Sequence, residues 1–176
     1  MIKGFKTCIR PIQEADITEL AQKSGDIDAL GAFLPTQMVS PSQLQKEYAD
    51  HGFQQEHASR YLITDHENHM LGMVWAFKSV PYFDALEVGY QVFSDKDRGK
   101  GIATEALKLL VDYLFESRQV NRLEVRVATE NIASERVAMN AGFTREGTHR
   151  EAAFSKGRLF DMHSYALLRR EWRLAD

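Results

Sequence analysis

Apolar positions along the chain change spacing repeatedly, and each change predicts a new element. Thr7-Cys8-Ile9-Arg10 predicts a short strand, ended by Pro11, whose missing N–H cannot join a ladder. Asp16 stands as an N-cap before Ile17 and Leu20, which open a helix. From Ser24 to Pro41 the pattern is broken by Gly25, Gly31, Pro35 and Pro41. Ser40-Pro41 then starts a second helix, with Pro at its first position and Leu44, Tyr48 and His51 on one face. Tyr61–Thr64 and Met70–Phe77 read as a hairpin around Asp65–Asn68. After Pro81 comes a strand over Leu86–Val92, whose alternation puts Glu87, Gly89 and Gln91 on one face. Between about Gly101 and Ser117, Ala103, Ala106, Leu107, Leu110, Val111 and Leu114 recur at helical spacing. Arg122–Val127 alternates as a strand, a helix follows Asn131 to near Gly142, and Phe143–Arg150 pairs with Phe160–Leu168. There are no repeats, low-complexity tracts or linkers, so residues 1–176 read as a single α/β domain with a mixed sheet.

Composition narrows the classes of function. A chain of 176 residues, 44% hydrophobic and 27% charged, suits one soluble domain, and no apolar run approaches a membrane span. The N-terminus lacks a signal core, and Cys8 is the only cysteine, so a cytoplasmic location without disulfides is expected. The net charge is −3 and basic residues thicken only locally, at Lys96–Lys100 and Arg145–Arg173. That pattern argues against nucleic acid and for a small anionic ligand. His66 and His69 fall in a hairpin turn without a Cys or carboxylate pairing, so no metal is expected.

The most informative stretch is Asp97-Arg98-Gly99-Lys100-Gly101-Ile102-Ala103-Thr104, between a strand and a strongly amphipathic helix. A helix start offers unpaired N–H groups and the positive end of the helix dipole. Glycines at 99 and 101 let backbone approach a diphosphate closely, while Arg98 and Lys100 add positive charge. Without that context the stretch would be a solvated turn; it is neither a P-loop nor the longer dinucleotide fingerprint.

Arg98-Gly99-Lys100-Gly101-Ile102-Ala103 resembles the Gln/Arg-x-x-Gly-x-Gly/Ala signature of the GNAT acetyltransferase superfamily. Leu86-Glu87-Val88-Gly89-Tyr90 resembles the strand before that signature. Asn131-Ile132-Ala133-Ser134, Gly142-Phe143, Glu146-Gly147, Arg150, Asp161 and Tyr165, with Arg10-Pro11 and Asp16, resemble the RimJ/RimL branch, which acetylates ribosomal-protein N-termini. The resemblance implies a mostly antiparallel mixed sheet with a splayed strand pair, flanked by helices, and acetyl-CoA as acyl donor. It assigns the diphosphate to Arg98, Gly99, Lys100, Gly101, Ile102, Ala103 and Thr104. The pantetheine arm falls to the backbone of Gln91, Val92 and Phe93 and to Asn131, and proton delivery to the leaving sulfur to Ser134. Many relatives carry a tyrosine four residues beyond that serine, but here the residue is Ala138.

For the general base, Glu87 stands on the strand facing the coenzyme, where partial burial would raise its pKa; an ordinary structural carboxylate is the other reading. The position aligned with the glutamate of ribosomal-type relatives is Ala153, with Glu151 two residues away on the same strand face. At pH 7 about one α-amine in seven is neutral, against about one lysine side chain in 2,500, so a weak base fits an α-amine acceptor better. Tyr82 and Phe83 are candidates for an acceptor pocket, with Trp75 and Phe77 shared between pocket and core. Ser24–Pro41 is expected to cover the acceptor side, and Arg150 either touches substrate or holds Asp161. The implied partner is an amine, a protein N-terminus or a small molecule, with monomer and homodimer both open. Two rivals remain: a non-catalytic acyl-CoA sensor, and a binder of ATP or NAD.

Overall fold

The computed structural model describes residues 1–29, 31–34 and 38–172. Pro35, within the predicted covering segment, and Arg173, at the end of the basic cluster, lie outside them. The strands are β1 (Ile2–Lys3), β2 (Cys8–Pro11), β3 (Gln54–Gln55), β4 (Ala58–Thr64), β5 (Met70–Phe77), β6 (Ala85–Val92), β7 (Arg122–Ala128), β8 (Thr144–Ser155) and β9 (Arg158–Leu168). The helices are α1 (Ile17–Ser24), α2 (Pro41–His51), α3 (Ile102–Ser117), α4 (Ile132–Asn140) and α5 (Arg169–Trp172). The strands form one sheet in the order β1-β2-β4-β5-β6-β7-β9-β8, with β3 beside β4. Every pairing is antiparallel except β6 with β7, as a mixed, mostly antiparallel sheet requires.

Strand alternation divides the core. Ile63, Val74, Val88 and Val125 face α3, which buries Ile102, Ala106, Leu107, Leu110, Val111, Leu114 and Phe115. Each of the large side chains contributes about 1.5–3 kcal/mol on burial. On the opposite face Leu62, Met70 and Phe93 pack with Ile17, Leu20 and Leu44 of α1 and α2. At the C-terminal end of α3, Arg169 donates to the carbonyls of Phe115 and Arg118, which the helix leaves open, and to that of Val120 just beyond.

Two expectations change. Asp16 precedes α1 but makes no side-chain cap to it. Its carboxylate accepts the Gln13 N–H and pairs with Arg10 at 2.7 Å, because a buried guanidinium outcompetes a helix N–H for a nearby anion. The final hairpin also runs further than Phe143–Arg150, with a register shift between His149 and Ala153.

Candidate active site

The end of β6 and the start of α3 are joined by a 3-10 turn, Asp95–Asp97, followed by Gly99 and Gly101. Gly101 occupies the N-cap of α3 at φ 84°, left-handed backbone that only glycine enters readily, and makes no side-chain cap. The first N–H groups of α3, from Ile102, Ala103 and Thr104, therefore stand without an intrahelical partner beside two glycines. Around this turn the cations are held by local acids. Arg98 pairs with Asp95 and also donates to the carbonyls of Ala29 and Val92; Lys100 pairs with Asp97 at 3.1 Å. Arg98 and Lys100 thus frame the turn instead of pointing freely into it.

Lys6, which the sequence does not single out, donates from Nζ to the Lys100 carbonyl at 3.0 Å. Its loop is fixed by Glu105, whose carboxylate accepts the N–H groups of Phe5, Lys6 and Thr7 and the Thr7 hydroxyl at 2.6–3.1 Å. Burial raises the Glu105 pKa, but these donors outweigh it and leave the carboxyl below its ordinary value.

Beyond the turn the sheet opens. β6 pairs with β7 only at Ala85, Leu86 and Glu87, opposite Arg122, Leu123 and Glu124; β7 then continues beside β9 and the two strands part. Phe93 gives its N–H to the Leu71 carbonyl at 3.0 Å, and antiparallel alternation turns the Gln91 backbone toward Met73 likewise. Of the expected backbone contacts, Gln91 and Phe93 are therefore spent on β5. The main-chain groups of Val88, Tyr90 and Val92 turn toward the opening instead. Gly89 is required by the indole of Trp75, since a Cβ there would lie 2.4 Å from Cε2.

On the far side of the opening, Asn131 caps α4 through its side-chain oxygen, which accepts the Ser134 N–H at 3.1 Å. Its amide nitrogen is left to donate elsewhere. Ser134 Oγ lies 2.7 Å from the Tyr90 hydroxyl, which also donates to the Ser134 carbonyl at 2.9 Å. Burial pushes the Tyr90 phenol up to about 12. Tyr165 donates to Glu135 at 2.5 Å and ties α4 to β9, while Ala138 is fully buried. The Tyr90–Ser134 pair escapes sequence reasoning because it joins residues 44 positions apart.

The opposite face carries the candidate base. Glu87 is the last β6 residue paired with β7 and is bonded to Arg126, which also reaches Glu124 at 3.5 Å. Burial raises the Glu87 pKa, with Arg126 and Ser79 acting in the other direction. Glu151 offers no substitute: it sits at φ 50° in the irregular stretch of β8, so it does not share a regular strand face with Ala153. Asp161 accepts the Glu151 N–H at 2.8 Å and is not held by Arg150.

Nearby, a cavity of about 310 Å³ is lined by Leu20, Leu34, Val39, Leu44, Trp75 and Gln91, among others. Trp75 is thus a pocket residue, whereas Tyr82 and Phe83 are exposed at 85% and 44% and lie outside the lining. The segment after α1 is pinned across this side. Ser155 Oγ donates to the Leu34 carbonyl at 2.7 Å, and Phe33 meets Phe160 edge-on.

The turn at His66 and His69 also departs from expectation. Asp65, Glu67 and His69 bring ligand atoms within 4.8 Å of one another. Asp65 uses those oxygens to build the turn, accepting the N–H groups of Glu67 and His69 and bonding His69 Nδ1 at 2.8 Å. No helix among the described residues is long and apolar enough to cross a membrane.

Comparison with known proteins bears on this arrangement. Residues 6–144 match the model of the acetyltransferase (GNAT) domain. A probable N-acetyltransferase of Bacillus subtilis, YjcK, is 30% identical over 179 residues, covering 96% of this chain and 97% of its own. The putative ribosomal N-acetyltransferase YdaF of the same organism is 37% identical over 86 residues, covering 49% of this chain and 46% of its own. The chain likewise spans about half the length of an uncharacterized N-acetyltransferase of Bacillus licheniformis, at 40% identity. Spermidine N-acetyltransferase of Vibrio cholerae, solved with CoA and spermine, superposes with a TM-score of 0.84 at 19% identity, over 97% of this chain and 99% of its own. That likeness concerns the fold.

Proposed function

Because the chain belongs to the GNAT acetyltransferase family, we propose that it transfers the acetyl group of acetyl-CoA directly to an amine, most fittingly the α-amine of a protein N-terminus. The observation that carries this reading is the parting of β6 from β7 after Glu87 and Glu124, which opens main chain beside a glycine turn at a helix start. Acetyl-CoA supplies an activated thioester. The N–H groups of Ile102, Ala103 and Thr104 meet its diphosphate, and the main chain of Tyr90 and Val92 meets its arm as an added strand would. Asn131 donates to the arm from its free amide nitrogen. Ser134 gives a proton to the leaving sulfur. Glu87, raised by burial, takes the proton that the attacking amine must lose, directly or through water.

The acceptor class follows from charge. A polyamine would call for unpaired carboxylates, yet Glu47, the one acid lining the cavity among the described residues, is paired with Arg60 at 3.1 Å. The remaining lining is largely apolar, which suits a peptide terminus whose α-amine is already partly neutral near pH 7. The relatives named above include enzymes of both kinds, ribosomal and spermidine.

Thermal unfolding with acetyl-CoA, with ATP and NAD as controls, tests the coenzyme. At a thousandfold excess over Kd, binding adds about 4 kcal/mol, which raises the Tm by about 8–16 °C. Equal shifts with ATP would refute the reading, as would none at all. Thiol release is then followed with a serine-initiated peptide and with spermidine. Binding without release to either would favour a sensor over an enzyme.

A further inference from the structure

Ser134 alone is a poor proton donor: its hydroxyl carries one proton, and losing it without replacement would leave an alkoxide. In a helix such a hydroxyl commonly turns back onto a carbonyl of the preceding turn. Here it meets the phenol of Tyr90, which reaches from β6 across the opening to the first turn of α4. The phenol also bonds the Ser134 carbonyl, which can only accept, so the tyrosine proton has two possible destinations 2.9 and 2.7 Å away.

We propose that Tyr90 is a positioning residue that makes Ser134 a proton donor, supplying from the facing strand the phenol that α4 lacks at Ala138. The proposal rests on the reading of Ser134 given above. At rest the phenol donates to the Ser134 carbonyl and the serine proton lies on the phenol oxygen. As the amine nitrogen bonds to the acetyl carbon, the C–S bond breaks and its electron pair stays on sulfur. Ser134 gives its proton to that sulfur while the phenol turns its own onto Oγ, so the serine oxygen is never left bare. The attacking amine releases one proton to Glu87, which passes it to solvent, and solvent returns one proton to the phenol oxygen. One proton leaves nitrogen, one arrives on sulfur, and both side chains end as they began.

The phenol, pushed up to about 12 by burial, holds its proton at neutral pH and so has one to give only as Oγ loses its own. The receiving side is equally fixed: the Asn131 cap and the Tyr165–Glu135 bond hold the α4 turn that carries Ser134.

The test is a double-mutant cycle with Tyr90→Phe and Ser134→Ala, read as kcat and KM on acetyl-CoA with the serine-initiated peptide and with spermidine. Tyr90→Phe is expected to lower kcat about 100-fold, the lower end of the range for a lost proton-transfer contact, with both KM values nearly unchanged. In the Ser134→Ala background it is expected to do nothing more. Unchanged kcat in Tyr90→Phe, or the same fold loss in both backgrounds, would overturn the proposal. Unchanged kcat in Ser134→Ala would instead overturn the role of Ser134 and the proposal with it. No thiol release by the unaltered protein would remove the activity on which both rest. Should Tyr90→Phe melt below the assay temperature, 3-fluorotyrosine at position 90 keeps the ring and makes the phenol more acidic. The alkaline limb of kcat must then move to lower pH, which a merely packed tyrosine would not do.

Discussion

Replacing Glu105 with Ala probes how the N-terminal loop supports the phosphate turn. Its carboxylate gathers the N–H groups of Phe5, Lys6 and Thr7 and the Thr7 hydroxyl. Phe5 and Lys6 are exposed, so water replaces the lost acceptor there at little net cost. Thr7 is fully buried, and its N–H and hydroxyl would lose their partner. At about 1–2 kcal/mol for each of those two donors, the loss is about 2–4 kcal/mol. For a domain of this size that lowers the Tm by about 4–16 °C. The sign with pH follows from the depressed carboxyl: its contribution is complete above the unfolded value, about 4.3, and fades as pH falls through the folded value. Thermal melts of both proteins at neutral pH and below pH 4 provide the assay. Because the same loop carries Lys6 to the Lys100 carbonyl, the variant should also bind acetyl-CoA more weakly. A Tm change under about 2 °C at pH 7 would refute the reasoning, as would a gap that stays constant into acid.

Gly101→Val forces a branched side chain into left-handed backbone and is expected to cost more than about 1–2 kcal/mol; titration with acetyl-CoA should show affinity lost well beyond the change in Tm. Asp16→Ala strands Arg10, 5% exposed, without its anion; the cost of about 3–5 kcal/mol should appear in a urea melt. Asp16 is held below its ordinary pKa, burial raising it and Arg10 and the Gln13 N–H lowering it further, so this difference should shrink only in acid. Glu87→Gln should remove the acidic limb of kcat/KM, which in the unaltered protein lies above the ordinary glutamate range because burial raises that pKa. An acidic limb unchanged in the variant would assign the base elsewhere.

The elements on either side of the site are legible in the sequence because each declares itself locally. Helical spacing from Ala103 to Leu114, the glycines before it and the alternation of Arg122–Val127 depend on neighbours a few positions away. The supports of the site are not legible, because they join distant segments. Glu105 meets Thr7, Tyr90 meets Ser134, and Arg98 meets Ala29 only after the sheet has brought them together. Gln91 and Phe93 show a subtler limit. Alternation assigns side chains to faces, but which neighbour a strand residue's main chain serves depends on register, and register places these two against β5. Glu151 is named from the sequence but set on the wrong face, because two-residue counting no longer tracks the face through the irregularity in β8.

The parting of β6 and β7 also bears on colloidal behaviour. Edges that expose main-chain donors and acceptors recruit other strands, and proteins ordinarily blunt them with lysine, proline or a bulge. Here the unpaired stretch runs through Val88, Tyr90 and Val92 in the middle of the sheet, where such residues would obstruct the proposed acyl donor. Burial of Val88 and Val92 already shields part of this edge, and a bound acyl donor would cover the rest as a neighbouring strand would. Solubility on storage should accordingly follow saturation with acetyl-CoA more closely than it follows net charge, making the substrate a guardian against self-association as well as a reactant.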